Sequence, residues 1–301
     1  MLKVFNQGDI LKNTLLFSCT FDIIRDIMNR FKNTIAVIAL FVLASCNSKP
    51  AVDSAKKDSV AVAKPQPGSI IKLDSSKRYI YLTWDDSPQP PGTIACKSVF
   101  RKQGVKATFF AVGMNQVGPF KKRIIDSLRN DYPEFLMANH SFSHANINGK
   151  DNYKLFYKQA DNAIQDFLKN EKELNVGVKI IRLPGNNAWV ANGKIQGPKS
   201  TLAVCQRLDS LSYKVIGWDI EWEQLKGVPK ESVDAMLQKV NEKFESGYTY
   251  EQNALVILSH DRLFGKPQYT DSLNKFITEL KKDPRNVFET IDHYPSVMRK
   301  K

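Results

Sequence analysis

The sequence predicts an α/β fold, a parallel sheet with crossover helices that is either open or closed into a barrel. Three observations predict it. Strand-like and helix-like runs alternate from about residue 79 to 291. Such alternation builds βαβ units and a parallel sheet. The strand-like runs end in ionisable residues, as expected where a site gathers at strand C-terminal ends. The segment that alternates, about 230 residues from residue 70 onward, suits one domain of that class.

The elements follow in order. Residues 79–82, YIYL, are aromatic or aliphatic and read as a strand; Asp85 and Asp86 follow it, then Pro88, Pro90 and Pro91, which end it. A helical stretch at 94–102 leads into a second strand, VKATFFAV, at 105–112. Residues 119–129 are helical, 135–138 (FLMA) form a short strand, and 152–169 have helical spacing. A strand at 178–181, a helix at 202–211, a strand at 213–217 and a helix at 232–244 come next. The apolar run ALVIL at 254–258 reads as a buried strand, 270–280 as a helix, and 287–291 as the last strand.

Composition bounds the rest. An apolar fraction of 42% is that of a globular chain, and the formal net charge is +13. Residues 1–46 carry five cations and three acids, which leaves +11 for residues 47–301. A basic surface suits an anionic partner. The lysines are scattered, with no basic stripe interleaved with aromatics, so nucleic acid is not an expected partner. No oligomerisation signal is present, and a monomer is expected.

The N-terminal segment reads as an export signal. A short basic region at 28–32 precedes ten apolar residues, IAVIALFVLA, at 35–44, too few to span a membrane. Leu43-Ala44-Ser45-Cys46 resembles the lipobox of bacterial lipoproteins, which implies a signal peptide over 28–46, lipidation of Cys46, and a membrane-anchored place in the cell envelope. Residues 1–27 hold three acids and sit awkwardly before such a signal; Met28 makes the better start, and 1–27 is then an artefact of start-site choice. Residues 47–70 are rich in Ser, Lys, Ala and Pro, without an aromatic residue, and read as a flexible tether. The folded domain is expected over 71–301. Its two cysteines, Cys96 and Cys205, are expected as separate buried thiols.

Five strand ends deliver ionisable groups: Asp85 and Asp86; His140 and His144; Arg182; Asp219; and His260 with Asp261. Three of the four histidines in the chain lie there. His140 and His144 stand at i and i+4, which on a helical turn places two imidazoles on one face, able to share a divalent metal with a carboxylate. Two adjacent carboxylates repel and raise one pKa. A bound cation relieves that repulsion, leaving one acid as ligand and the other as base.

Together these stretches resemble the polysaccharide deacetylase family, carbohydrate esterase family four with its NodB-homology domain. The resemblance rests on Thr83-Trp84-Asp85-Asp86 with its Pro-rich loop, GVKATFFAVG at 104–113, HSFSH at 140–144, Arg182-Leu183-Pro184 and Leu258-Ser259-His260, and covers roughly 75–295. It implies a distorted (β/α)7 barrel and a metal-dependent hydrolase removing acetyl groups from an N-acetylated amino-sugar polymer such as peptidoglycan or a chitin-like glycan. It implies Asp86, His140 and His144 as ligands of a divalent metal, commonly Zn2+; Asp85 as general base; His260 as general acid; and Arg182 orienting the base. It also implies Leu258 in the pocket for the acetyl methyl, and a backbone N–H near Asn146 for the oxyanion. Trp222 is a candidate groove wall and Asp219 a candidate partner of Arg182; Trp189 is a further aromatic that could stack on a sugar. An O-acetyl esterase on xylan-like chains, and a metal- and glycan-binding lipoprotein without turnover, are the alternatives.

Three departures from the family pattern stand out. Ser87 replaces the glycine that ends the first motif, so a different loop geometry is expected there. Pro184 is followed by Gly185 and Asn186 where the pattern has Pro-x-Gly, and Asn186 is expected to take the left-handed turn. Asp219-Ile220-Glu221-Trp222 is one residue shorter than the fourth motif, with Glu for its second Asp.

Overall fold

The computed structural model describes residues 66–191 and 193–299. The expected signal segment, Cys46 and most of the expected tether lie outside them. The described fold reaches back at least to Gly68, whose backbone N–H donates to Asp292 Oδ2 at 3.0 Å.

The main sheet has ten strands: β1 (Arg78–Ser87), β2 (Ala107–Ala111), β3 (Phe135–Asn139), β4 (Ile180–Ile181), β5 (Trp189–Ala191), β6 (Lys194–Gln196), β7 (Lys214–Val215), β8 (Ile220–Glu221), β9 (Ala254–His260) and β10 (Asn286–Phe288). Its order is β8-β9-β1-β2-β3-β4-β7-β5-β6, with β10 paired to β1. Seven consecutive strands of that path, β8 to β7, run parallel. The path stays open between β8 and β6, so the architecture is the distorted (β/α)7 half-barrel, an α/β fold.

Around it lie α1 (Gly92–Gln103), α2 (Gly118–Asn130), α3 (Tyr153–Lys158), α4 (Ala160–Leu174), α5 (Leu202–Ser210), α6 (Val233–Ser246), α7 (Pro267–Leu280) and the short α8 (Pro295–Met298). Local chemistry sets their ends. Pro119 and Pro267 open α2 and α7, where a missing N–H is harmless. The Ser232 hydroxyl accepts from Ala235 N–H to start α6, and Gly247 at φ 69° stops it. The helix expected over 152–169 is two helices, broken at Gln159, whose backbone (φ −100°, ψ 70°) is not helical.

Several strands differ from expectation. β5 and β6 were not expected and form an antiparallel edge beyond β7. The last strand, expected at 287–291, is Asn286–Phe288 and joins the edge of β1. β8 was not expected: two residues carry too little periodicity to register, and their pairing with Ile257 and Leu258 makes them a strand.

Strand alternation explains the core. Along β1, Ile80, Leu82 and Trp84 pack outward with the α1 and α7 residues Phe100, Leu273 and Phe276. Tyr79 and Tyr81 point inward with Phe110, Leu136, Ala138, Ile180 and Val256. Successive side chains face opposite sides, so each strand sends every second residue into the concave face. Cys96 and Cys205 are free and buried, in different apolar clusters.

Candidate active site

The inward parity of each strand, followed to its C-terminal end, builds the site. On β1, Tyr79 and Tyr81 lead to Thr83 and Asp85; on β3, Leu136 and Ala138 lead to His140. On β4, Ile180 leads to Arg182, and on β9, Ala254 and Val256 lead to Leu258 and His260. The register of β1 and β9 sets Thr83 beside Leu258 and Asp85 beside His260. A cavity of about 600 Å³ above this floor is lined by Asp85, Asp86, His140, His144, Leu258 and His260.

Parity alone would send Asp86 the opposite way from Asp85. It does not, because Asp86 adopts φ 70° and the β1–β2 register slips between Trp84 and Ser87. This left-handed residue in a bulge turns the second carboxylate back to the same cavity. Aspartate is one of the few non-glycine residues that takes this conformation readily. The left-handed residue of this loop is thus Asp86 and not Ser87. Ser87 instead uses its hydroxyl, donating to Asp261 Oδ2 at 2.7 Å, where Thr93 Oγ1 also donates. In the third motif the left-handed residue is Gly185 (φ 63°), not Asn186. A Cβ on Gly185 would come within 2.8 Å of the Tyr153 ring, so both conformation and space require glycine.

The two histidines do not share a helical turn. His140 follows β3, and His144 arrives through a loop with φ above zero at Ser141, His144 and Ala145. The Ser141 hydroxyl accepts from His144 N–H, and Asp166 Oδ1 accepts from the N–H groups of Phe142 and Ser143, which fixes that loop. The imidazole centroids end 5.3 Å apart. His140 Nδ1 lies 3.0 Å from the Arg182 carbonyl and donates to it, leaving Nε2 with a lone pair toward the cavity. Burial, with His144 next to it, pushes His140 down to about 3, so its imidazole is neutral.

Asp86 Oδ1 lies 3.1 Å from His144 Nε2 and 3.6 Å from His140 Nε2. That oxygen is buried and no hydrogen bond reaches it. One carboxylate oxygen and two imidazole nitrogens, all within 4.8 Å of one another, converge on one point. A buried carboxylate oxygen facing two imidazole nitrogens fits a divalent cation, and three protein ligands leave coordination positions open. Burial raises the Asp86 carboxyl, but His144 and His140 outweigh that and hold it well below the usual carboxylate range.

Arg182 is fully buried and fixes Asp85. Its Nη1 donates to Asp85 Oδ1 at 2.9 Å and to Thr83 Oγ1 at 2.8 Å; Nε and Nη2 donate to the carbonyls of Ile216 and Gly217. Its guanidinium lies 4.3 Å from the centre of the Phe110 ring. Burial raises the Asp85 carboxyl, against the lowering by Arg182 and His260, so the net direction is upward, toward a group that accepts a proton. Asp85 Oδ2 stays on the cavity side, 3.5 Å from His140 Nε2. His260 Nε2 lies 3.9 Å from Asp86 Oδ2, and its buried Nδ1 has no hydrogen-bond partner.

Three further expectations do not hold. Asp219 does not hold Arg182: its oxygens accept from Tyr250 N–H at 2.8 Å and Val256 N–H at 2.7 Å. It precedes β8 and stands level with Val256, well below the strand end that carries His260. Trp222 is no groove wall. Parity turns it outward into the helix layer against Phe264 and Phe276, with Nε1 donating to the Glu231 carbonyl. Trp189 is buried and stacked on Tyr250, ring centres 4.0 Å apart. Near the expected oxyanion donor, the N–H of Asn146 itself is engaged by the Ser143 carbonyl at 3.0 Å.

Trp218, Glu221 and Arg262 also line the cavity; of these the sequence marks only Glu221, as the Glu of the shortened fourth motif and without a place in the site. The outward positions of Ile220 and Trp222 imply that Glu221 between them faces inward, so alternation could have found it. Nothing in the sequence marks Trp218 or Arg262.

Burial pushes the Asp219 carboxyl up to about 6, against the two backbone hydrogen bonds that favour its charged form. Its folded value lies above the unfolded 3.8, so this group's contribution to stability is complete below about pH 4 and is lost as pH rises through about 6. Asp219→Asn should remove that fall. Between pH 4 and 7 its urea-derived stability should decline by about 1–3 kcal/mol less than that of the wild type. Parallel pH profiles would refute it.

The fold and this site define a class: a half-barrel with an open two-histidine, one-carboxylate cluster beside an adjacent aspartate and histidine. Residues 72–188 match the family model described as polysaccharide deacetylase. A CE4 esterase from Streptococcus mutans superposes with a TM-score of 0.53 at 22% identity, over 71% of this chain and 86% of that one. The peptidoglycan deacetylase PdaC from Bacillus subtilis superposes with a TM-score of 0.50 at 18% identity, over 75% of this chain and 93% of that one. No curated protein matches the sequence. Residues 72–188 are thus similar to the polysaccharide deacetylase family, and the two solved structures share the fold.

Proposed function

We propose that this protein is a metal-dependent deacetylase that removes N-acetyl groups from an amino-sugar polymer of the cell envelope, such as peptidoglycan. The observation that carries the reading is one floor holding two separate devices: the Asp86–His140–His144 cluster, and the Asp85–His260 pair set side by side by the β1–β9 register. A pure binding protein needs the first and has no use for the second. The similar B. subtilis structure is of a peptidoglycan deacetylase, which suits the envelope location.

Asp86, His140 and His144 would hold the cation. When bound, it supplies a Lewis acid for the acetyl carbonyl and lowers the pKa of water. The chain's own groups do the rest. Arg182 holds Asp85 Oδ1, so Oδ2 is the oxygen that takes the proton from the attacking water. His260 Nε2 gives a proton to the leaving sugar nitrogen, so the C–N bond breaks to acetate and a free amine. Leu258, on the cavity wall beside Thr83, offers an apolar surface to the acetyl methyl. Lipidation of Cys46 would hold the protein at a membrane.

The test is acetate release from N-acetylated chitooligosaccharide, peptidoglycan and acetylxylan, with Zn2+ and with chelator. Release from the first two that chelator abolishes and Zn2+ restores is expected. Tight zinc binding without acetate release from any of the three would sink the catalytic reading. Release from acetylxylan alone would make the protein an O-acetyl esterase.

A further inference from the structure

Each acid of the pair has its own arginine, and the two arginines are held very differently. Arg182 is fully buried and uses Nε, Nη1 and Nη2 on Asp85, Thr83 and two carbonyls. Arg262 stands in the turn Asp261–Phe264 directly after β9, with its side chain 32% exposed. It makes one hydrogen bond to the described residues, from Nη1 to Asp86 Oδ2. It is also the one lysine or arginine among the described residues that lines the cavity.

Asp86 is thus shared. Oδ1 faces the imidazoles of His140 and His144, and Oδ2 is held by Arg262. A buried carboxylate needs a compensating charge, and a guanidinium is always charged. A divalent cation on Oδ1 would bring its own charge to the same carboxylate and repel Arg262, at separations where Coulomb terms in a protein are large. Arg262 has one bond to break and an open cavity to move into; Arg182 has neither freedom.

We propose that Arg262 competes with the metal for Asp86 and thereby sets the metal affinity of the Asp86–His140–His144 site. Arg262 is a built-in cation on the ligand carboxylate, a positioning residue whose effect is to weaken metal binding. This rests on the reading of those three residues as a metal site, not on the reaction performed there. The opposite role would be an outer partner that orients its ligand, whose loss typically weakens binding about 10–100-fold. The sign of the change therefore decides.

The experiment measures the Zn2+ dissociation constant of the full chain by competition with a chromophoric chelator, for wild type, Arg262→Gln and Arg262→Lys. Arg262→Gln is expected to bind Zn2+ at least about tenfold more tightly, and Arg262→Lys, which keeps a cation, within about threefold of wild type. Melting in excess chelator gives the second readout. Arg262→Gln should melt lower than wild type without metal, because Asp86 has lost its partner, and gain more from added Zn2+. Equal or weaker Zn2+ binding by Arg262→Gln, with the metal-free variant folded, overturns the proposal while leaving the metal site standing. No Zn2+ binding by wild type or either variant overturns both.

Discussion

Asp85→Asn is expected to lower acetate release by about 10²–10⁴-fold, the usual contribution of a positioned general base. Its Zn2+ affinity should stay near that of the wild type. The replacement keeps the shape of the side chain, and the amide oxygen can still accept from Arg182 Nη1, which now reaches Asp85 Oδ1 at 2.9 Å. What is lost is the basicity of the cavity-side oxygen. Two measurements on one preparation separate this from a binding defect: the turnover rate at saturating substrate, and Zn2+ uptake by chelator competition. Wild-type turnover in Asp85→Asn would remove Asp85 from the mechanism. Lost turnover together with lost Zn2+ would make Asp85 a ligand instead.

Arg182→Met is expected to be the most destabilising single change at the site, by about 3–5 kcal/mol, the range for breaking a buried ion pair from one side. Arg182 is 0% exposed and Asp85 3%, so the carboxylate left behind has no route to water. The carbonyls of Ile216 and Gly217 lose their donors at the same time. Methionine fills much of the space against Phe110, which keeps the cavity term small. Urea unfolding at pH 7 reads the loss. It should shrink at low pH, where Asp85 is protonated and there is no charge left to strand. A loss below about 1 kcal/mol at pH 7 would mean that Arg182 is dispensable to the fold.

Both predictions depend on residues that the sequence marks by simple alternation. Tyr79, Tyr81, Thr83 and Asp85 share one face of a strand, and so do Val256, Leu258 and His260. Strand parity is local, so it can be read from residue order alone, and it carries Asp85, His140, Arg182, Leu258 and His260 inward together. The seven-strand parallel architecture is legible for the same reason, except β8, whose two residues become a strand only through pairing with β9. Parity also separates Glu221, inward, from Trp222, outward, whereas residue type alone favours the tryptophan as a sugar-stacking wall.

Other features belong to tertiary structure alone. Two adjacent strand residues should diverge; that Asp85 and Asp86 converge depends on φ 70° at Asp86, which a bulge against β2 imposes. His140 and His144 meet through a loop pinned by Asp166 from α4, not through helical spacing. Asp219 sits level with mid-β9 and binds backbone there, a consequence of register between strands far apart in sequence. Arg262 reaches Asp86 across 176 residues of chain. Residue order fixed which side chains face the barrel's interior, because that is a property of each strand; which of them touch was left to register and loop closure, because those are properties of pairs.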